Sequence, residues 1–279
     1  LIALGGSIGT GLFIGSGQNL ATGGPGSLML GFIIVAVCVI LTMVSLGELA
    51  AVLPVSGSFC TYSVRFLDPS WGFAMGWNYW LQWLAAFPLE ATAVTIVISF
   101  WDKDEAVPRG VWVAIYLVLM MSIHLVGVRG YGEFEFLAAL IKILGCIGFI
   151  IACVVIDVGG SPRGEYLGAH SWHHPPPFLN GFKGFCSVFI TAAFAYSGTE
   201  IVGIAEAESS NPRKYIPRAT KQVVGRVLLF YIVSILMITF IVPSDTKSLM
   251  GDSNDPSSSP VVIALLQRQI HPILSRIHI

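Results

Sequence analysis

Four places in the sequence set reactive or hydrogen-bonding groups in strongly apolar surroundings. Lys142 lies inside Ala138-Ala139-Leu140-Ile141-Lys142-Ile143-Leu144. Burial disfavours a charged ammonium, which would let this lysine take and release a proton during a cycle. The alternative is that its four-carbon stem lets the charge snorkel to the membrane surface. Glu90 follows Phe87-Pro88-Leu89. A charge at mid-membrane costs roughly 2.5–3.5 kcal/mol, so Glu90 is expected to line a cavity or meet a partner. Otherwise it sits near the headgroups or is protonated and packed. The other two places are stretches rather than single residues. In Leu4 to Gly17, six of fourteen residues are glycine, with Gly9-Thr10-Gly11 at the centre. Phe194-Ala195-Tyr196-Ser197-Gly198-Thr199-Glu200 puts small, polar and acidic residues in the middle of a second apolar run.

Glycine costs roughly 1 kcal/mol against alanine in a helix interior. An apolar helix so rich in it invites a break, and a break in a membrane helix is tolerated where it lines a cavity. Unwinding near Gly9-Thr10-Gly11 is one reading. The other is close helix packing, because Gly5 and Gly9, and Gly11 and Gly15, have small-xxx-small spacing. The second interruption, five segments later, favours the first reading, since paired broken helices point to a transporter binding site. The pair suits a zwitterion. A half-helix starting after Gly11 offers free N–H groups and a positive dipole end to a carboxylate. A half-helix stopping near Ala195 offers carbonyls to an ammonium. No catalytic group and no metal-ligand spacing stands out, and the five cysteines lie in or beside apolar runs as packing residues. His124 is read as packed or interfacial.

The elements that must hold these residues follow from composition. Hydrophobic residues make up 54% and charged residues 11%, and mean hydropathy is +0.77. A soluble domain carries about 25% charged residues, so an all-α integral membrane protein is expected. With about 20 apolar residues needed per crossing, the spans fall at roughly 1–21, 27–46, 71–101, 111–128, 134–156, 184–205 and 227–242. An eighth starts at Pro260. Gly/Pro content makes Ala21 to Gly26 a turn. The stretch Glu206 to Ala219, charged and carrying two prolines, reads as an inner topology anchor. With the start inside, inner loops hold seven basic residues and outer loops four, as the positive-inside rule requires. Net charge is −1 and gives no support for a nucleic-acid partner. The chain opens inside an apolar segment without an initiator methionine and ends as abruptly, which suggests a fragment.

The chain resembles amino-acid permeases of the amino acid–polyamine–organocation superfamily, most closely their fungal members. Gly5 to Phe13, Gly47-Glu48-Leu49-Ala50 with Pro54 to Phe59, Trp77-Asn78-Tyr79-Trp80, Phe194 to Glu200 and Glu208 to Pro217 carry the resemblance. It implies a LeuT-like fold of two inverted five-helix repeats plus two helices, with helices 1 and 6 broken. Of this the chain would hold residues 1–157 as the first repeat and 183–279 as the start of the second, some seven to eight helices. By the same resemblance Gly9, Thr10 and Gly11 bind the carboxylate of an amino acid, and Ala195, Ser197 and Gly198 offer carbonyls to its amino group. Phe194 gates the site and Glu90 reads the side chain. Lys142 stands where relatives hold a coupling sodium, implying a proton as coupling ion and no other cofactor. The expected activity is proton-coupled transport of amino acids by alternating access at the plasma membrane, with the N-terminal side cytoplasmic. The alternative is an amino-acid-sensing transceptor without net transport. The sequence identifies neither the amino acid nor the oligomeric state.

Overall fold

A computed structural model describes residues 9–99, 101–102, 107–160, 166–205, 212–250 and 259–267. Among them the secondary structure is entirely helical. A π-helical turn, Gly11–Gly15, leads into α1 (Ser16–Val52), which contains both the first and the second expected spans. The expected turn between them shrinks to a kink at one residue. Gly24 has φ 81° and ψ 169°, a conformation that only glycine adopts easily, and Pro25 begins the next helical stretch. The second span therefore starts two residues earlier than expected and runs on to Val52. No space exists for a side chain at the kink, because a Cβ on Gly24 would lie 2.6 Å from the carbonyl oxygen of Pro177.

A short helix, α2 (Ser58–Phe66), follows Pro54 and fills a connection read as a loop. Its Tyr62 is buried and donates from its hydroxyl to the Leu53 carbonyl at 2.6 Å. Next comes α3 (Pro69–Ser99), the third span. Asp68 precedes its first-turn proline and accepts from the Ser70 amide at 2.7 Å, which is how an aspartate caps a helix. Bonds from Ser70 hold the Asp68 carboxyl below the usual carboxylate range. A lowered folded-state pKa gives stability that is present above the unfolded value and lost as pH falls through the folded one. Replacing Asp68 with alanine should raise amide exchange in the first turn of α3 at neutral pH. That difference from wild type should vanish in strong acid; a difference that persists there would remove the carboxylate from the cap.

The remaining spans are α4 (Arg109–Leu125), α5 (Gly127–Asp157) and α7 (Gly181–Ala195). A four-residue helix, α6 (His170–His173), stands in the connection between α5 and α7. Beyond α7 the chain leaves helical conformation over Tyr196–Glu200 and resumes in α8 (Ile201–Ala205). The polar α9 (Pro212–Arg226) passes through a π-helical turn, Val227–Ile232, into α10 (Val233–Ile241), so the seventh span starts well before its apolar run. A 3-10 turn, Lys247–Met250, precedes α11 (Pro260–Gln267), the start of the eighth span. The first part of the expected anchor, 206–211, lies outside the described residues.

One core joins the first half of α1, α5, α7 and α10. Leu12, Leu20, Leu28, Phe32, Phe149, Tyr196, Tyr231, Ile235 and Ile238 are all at most 2% exposed. The first span and α7 run antiparallel at glycine-limited separation. A Cβ on Gly11 would meet the Cα of Ala195 at 2.8 Å, one on Gly15 would meet Thr191 Cγ2 at 2.7 Å, and one on Gly23 would meet the Gly184 carbonyl oxygen at 3.0 Å. The small-residue spacing thus serves close packing, as its simpler reading required. Near the kink, the Pro177 carbonyl accepts from the Gly26 amide at 2.8 Å and the Gly23 carbonyl from the Leu179 amide at 2.9 Å. The same connection reaches α10, where Trp172 Nε1 donates to Thr239 Oγ1 at 3.2 Å.

Outside this core the spanning helices carry large uncovered apolar side chains. Trp71, Trp77, Trp80, Leu81 and Phe87 of α3 are each at least half exposed. Among the described residues, four helical stretches are long and apolar enough to cross a membrane. A surface of this size and character needs hydrocarbon or other protein against it.

Candidate functional site

Thr10 opens the described helical part of the first span and leads into the π-helical turn at Gly11. The Gly9 carbonyl accepts from Leu12 at 3.2 Å and from Phe13 at 3.4 Å, which starts the π-helical turn. Across from it stands Glu90, two residues beyond the Pro88 of α3. Thr10 Oγ1 donates to Glu90 Oε1 at 3.0 Å, and the place where Gly9 lacks a Cβ is 3.8 Å from the same oxygen. Gly9, Thr10 and Glu90, eighty positions apart in sequence, therefore form one group.

A second group forms where Gly11 meets α7. The Gly11 Cα faces Phe194 Cδ1 and the backbone of Ala195 directly. From Tyr196 to Glu200 the backbone turns, with Gly198 at φ 89°. The turn is held by bonds from Tyr196 N to the Ala192 carbonyl, Ser197 N to that of Phe194, Thr199 N to that of Tyr196 and Ile201 N to that of Gly198, at 3.1–3.4 Å. Among the described residues, the carbonyls of Ala195 and Ser197 take no backbone donor. Of the three carbonyls expected to meet an amino group, two stand open and that of Gly198 already receives a bond.

Beside the turn is a cavity of about 630 Å³ between α1, α3 and the turn. Phe194 and Ser197 line it together with Asn78, Tyr79, Gln82 and Glu200. Gln82 Nε2 donates to Ser197 Oγ at 2.6 Å. On the other side of the turn, Tyr196 donates to the Phe32 carbonyl at 3.2 Å and stacks on Tyr231 with ring centroids 4.6 Å apart. Gln82 and Tyr196 were not among the expected site residues. An amide inside Trp80-Leu81-Gln82-Trp83-Leu84 is the kind of polar intrusion that marks such a position. Tyr196 carried no signal beyond lying within the interrupted stretch.

Lys142 lies on α5, outside the elements that carry these two groups. The buried face of α5 is the stripe Ala139, Cys146, Phe149, Cys153 and Ile156, and Lys142 stands beside it on a face exposed among the described residues. The expectation of a buried ammonium is corrected to that extent, because the register of the stripe turns Ile143 inward in its place. His124 is exposed, with Nδ1 2.8 Å from the Met120 carbonyl oxygen. Among the described residues no three His, Cys, Asp or Glu side chains converge as a metal site would need.

The start of the described first helix thus packs against the end of α7, just before the turn at Tyr196–Glu200, and α3 bonds by side chains to both. Comparison with known proteins places the chain. Residues 1–274 match the family model described as amino acid permease. The general amino-acid permease GAP2 of Candida albicans is 48% identical over 267 residues, covering 95% of this chain and 45% of that protein. The general amino-acid permease GAP1 of Saccharomyces cerevisiae is 45% identical over 285 residues, covering 100% and 47%. An uncharacterized amino-acid permease of Schizosaccharomyces pombe, P7G5.06, is 46% identical over 278 residues, covering 99% and 47%. The chain belongs to the amino acid permease family, and it is a multi-pass integral membrane protein with the LeuT-like inverted-repeat fold of that family. It spans about half the length of the curated relatives it matches.

Proposed function

We propose that this chain forms part of a secondary active transporter that carries amino acids across the plasma membrane together with protons. The observation that carries the reading is the close packing of Gly11, in the π-helical turn of the first span, against Phe194 and Ala195 at the end of α7, where the turn begins. Around it the groups a zwitterion needs are arranged at opposite ends. The first-turn N–H groups at Gly9, Thr10 and Gly11 receive a carboxylate, and the open carbonyls of Ala195 and Ser197 receive an ammonium. Phe194, on the cavity wall beside Gly11, closes over the substrate. Glu90, bonded to Thr10, reads the side chain from α3. Residues 1–157 act as one repeat and 183–279 begin the other. Rocking of the repeats exposes the site alternately to each side, with the N-terminal side cytoplasmic. Lys142 carries the coupling proton.

Uptake of labelled amino acids by the full-length protein in proteoliposomes tests this reading. Uptake should be saturable, should run uphill under an imposed pH gradient, and should fall to equilibration when a protonophore is added. Uptake indifferent to the protonophore would refute proton coupling. Binding without uptake would refute transport and leave a sensor.

A further inference from the structure

The cavity wall holds a bond that the zwitterion site does not itself require. Gln82 lies within the apolar run of α3, where an amide without a partner is costly. Its partner is the Ser197 hydroxyl, 115 positions away, at 2.6 Å. Ser197 is a residue of the turn whose own carbonyl, with that of Ala195, is left open. The turn is therefore gripped on two sides. Tyr196, 2% exposed, ties it to α1 inside the core through the Phe32 carbonyl. Gln82 ties it to α3 across the rim of the cavity, where water and ligand have access. With Gly198 at φ 89° next to it, the peptide after Ser197 has unusual freedom to rotate. A side-chain tether at Ser197 is what fixes the direction of its carbonyl.

We propose that Gln82 is a positioning residue for substrate, acting through Ser197 to aim the open carbonyls of the turn at the substrate's ammonium. This rests on the transport reading given above. Gln82 does not touch the substrate; it sets the geometry of the groups that do. Loss of the tether then weakens recognition of the amino group in particular, and leaves recognition of the rest of the molecule as it was. A neutral hydrogen bond contributes modestly, so the expected effect is about a tenfold change in KM rather than abolition.

The test uses the full-length protein in proteoliposomes. A labelled mixture of the twenty L-amino acids finds a transported member, and its α-hydroxy-acid counterpart, which has a hydroxyl in place of the ammonium, serves as competitor. Gln82→Leu and Ser197→Ala should each raise KM for the amino acid about tenfold with maximal rate little changed. The double variant should be no worse than either single one, since both remove the same bond. Ser197→Thr keeps the hydroxyl and should restore wild-type KM. The inhibition constant of the hydroxy acid should stay within about twofold in all four, which a general distortion of the site would not allow. Should Gln82→Leu fail to fold, Ser197→Ala, which removes one hydroxyl, decides the matter with its threonine counterpart. A KM within twofold of wild type, additive effects in the double variant, or a parallel shift in the hydroxy-acid constant would each overturn the proposal while the transport reading stands. Absence of uptake by the wild type would overturn both together.

Discussion

Replacing Gly11 with alanine should destabilise the protein by about 1–3 kcal/mol, the cost of forcing an extra methyl into a packed interface. The added Cβ would stand 2.8 Å from the Cα of Ala195, 3.0 Å from Phe194 Cδ1 and 3.1 Å from the Ala195 Cβ. The nearest of these atoms is backbone, which cannot swing aside as a side-chain tip can, so the first span and α7 must part at this contact. Thermal unfolding in detergent should show a fall of roughly 3–10 °C, taking about 2–4 °C per kcal/mol for a chain of this size. Gly15→Ala meets the Thr191 methyl at 2.7 Å and should cost less, because that methyl belongs to a side chain. Gly76→Ala is the control: a Cβ there meets nothing within 4 Å among the described residues, and alanine favours the helix by up to about 1 kcal/mol. A Gly11→Ala protein as stable as wild type would show that the first span and α7 are not in close contact.

Lys142→Gln should abolish accumulation of amino acid against its gradient while leaving downhill equilibration in place. Glutamine keeps length and polarity but has no proton to give or take. One unit of imposed pH difference supports about tenfold accumulation per coupled proton, so the steady-state ratio of internal to external substrate should drop from well above one to one. The side chain stands at the edge of the buried stripe of α5, within reach of whatever packs against that face during the cycle. A lysine that only snorkels would be replaceable without effect on the ratio. Undiminished accumulation in the variant would remove Lys142 from the coupling.

The spans were legible because apolar runs of the required length leave few alternatives. The third, read as Trp71 to Trp101, is Pro69–Ser99, and the break read at Phe194 to Glu200 is Tyr196–Glu200. Counting apolar residues fails where a helix is not apolar along its length. The Ser58–Phe66 helix is amphipathic and short, and α9 is polar, so neither registers as a span. The turn at Ala21 to Gly26 was overread because glycine and proline mark a change of direction without fixing its extent. Here Gly24 alone absorbs it. In the site, residue types identified Glu90 and the interruption that ends α7, since each is out of place in hydrocarbon. What no spacing could show was pairing: Thr10 with Glu90 and Gln82 with Ser197 are 80 and 115 positions apart. The inward register of α5 was equally hidden, because lysine and isoleucine stand side by side and only the packed neighbours decide which turns in.

The antiparallel contact of Gly11 with Ala195 and of Gly15 with Thr191 also governs how the molecule is made. These partners are separated by 184 and 176 positions, and at about 5–20 residues per second the ribosome needs roughly 10–40 s to reach α7 after the first span has emerged. Through that interval a glycine-lined groove, shaped for another helix, lies against lipid or against whatever in the insertion machinery will shelter it. Maturation of the site is thus a late event in synthesis, and the segment around Gly11 and Gly15 waits for α7 before it takes its place.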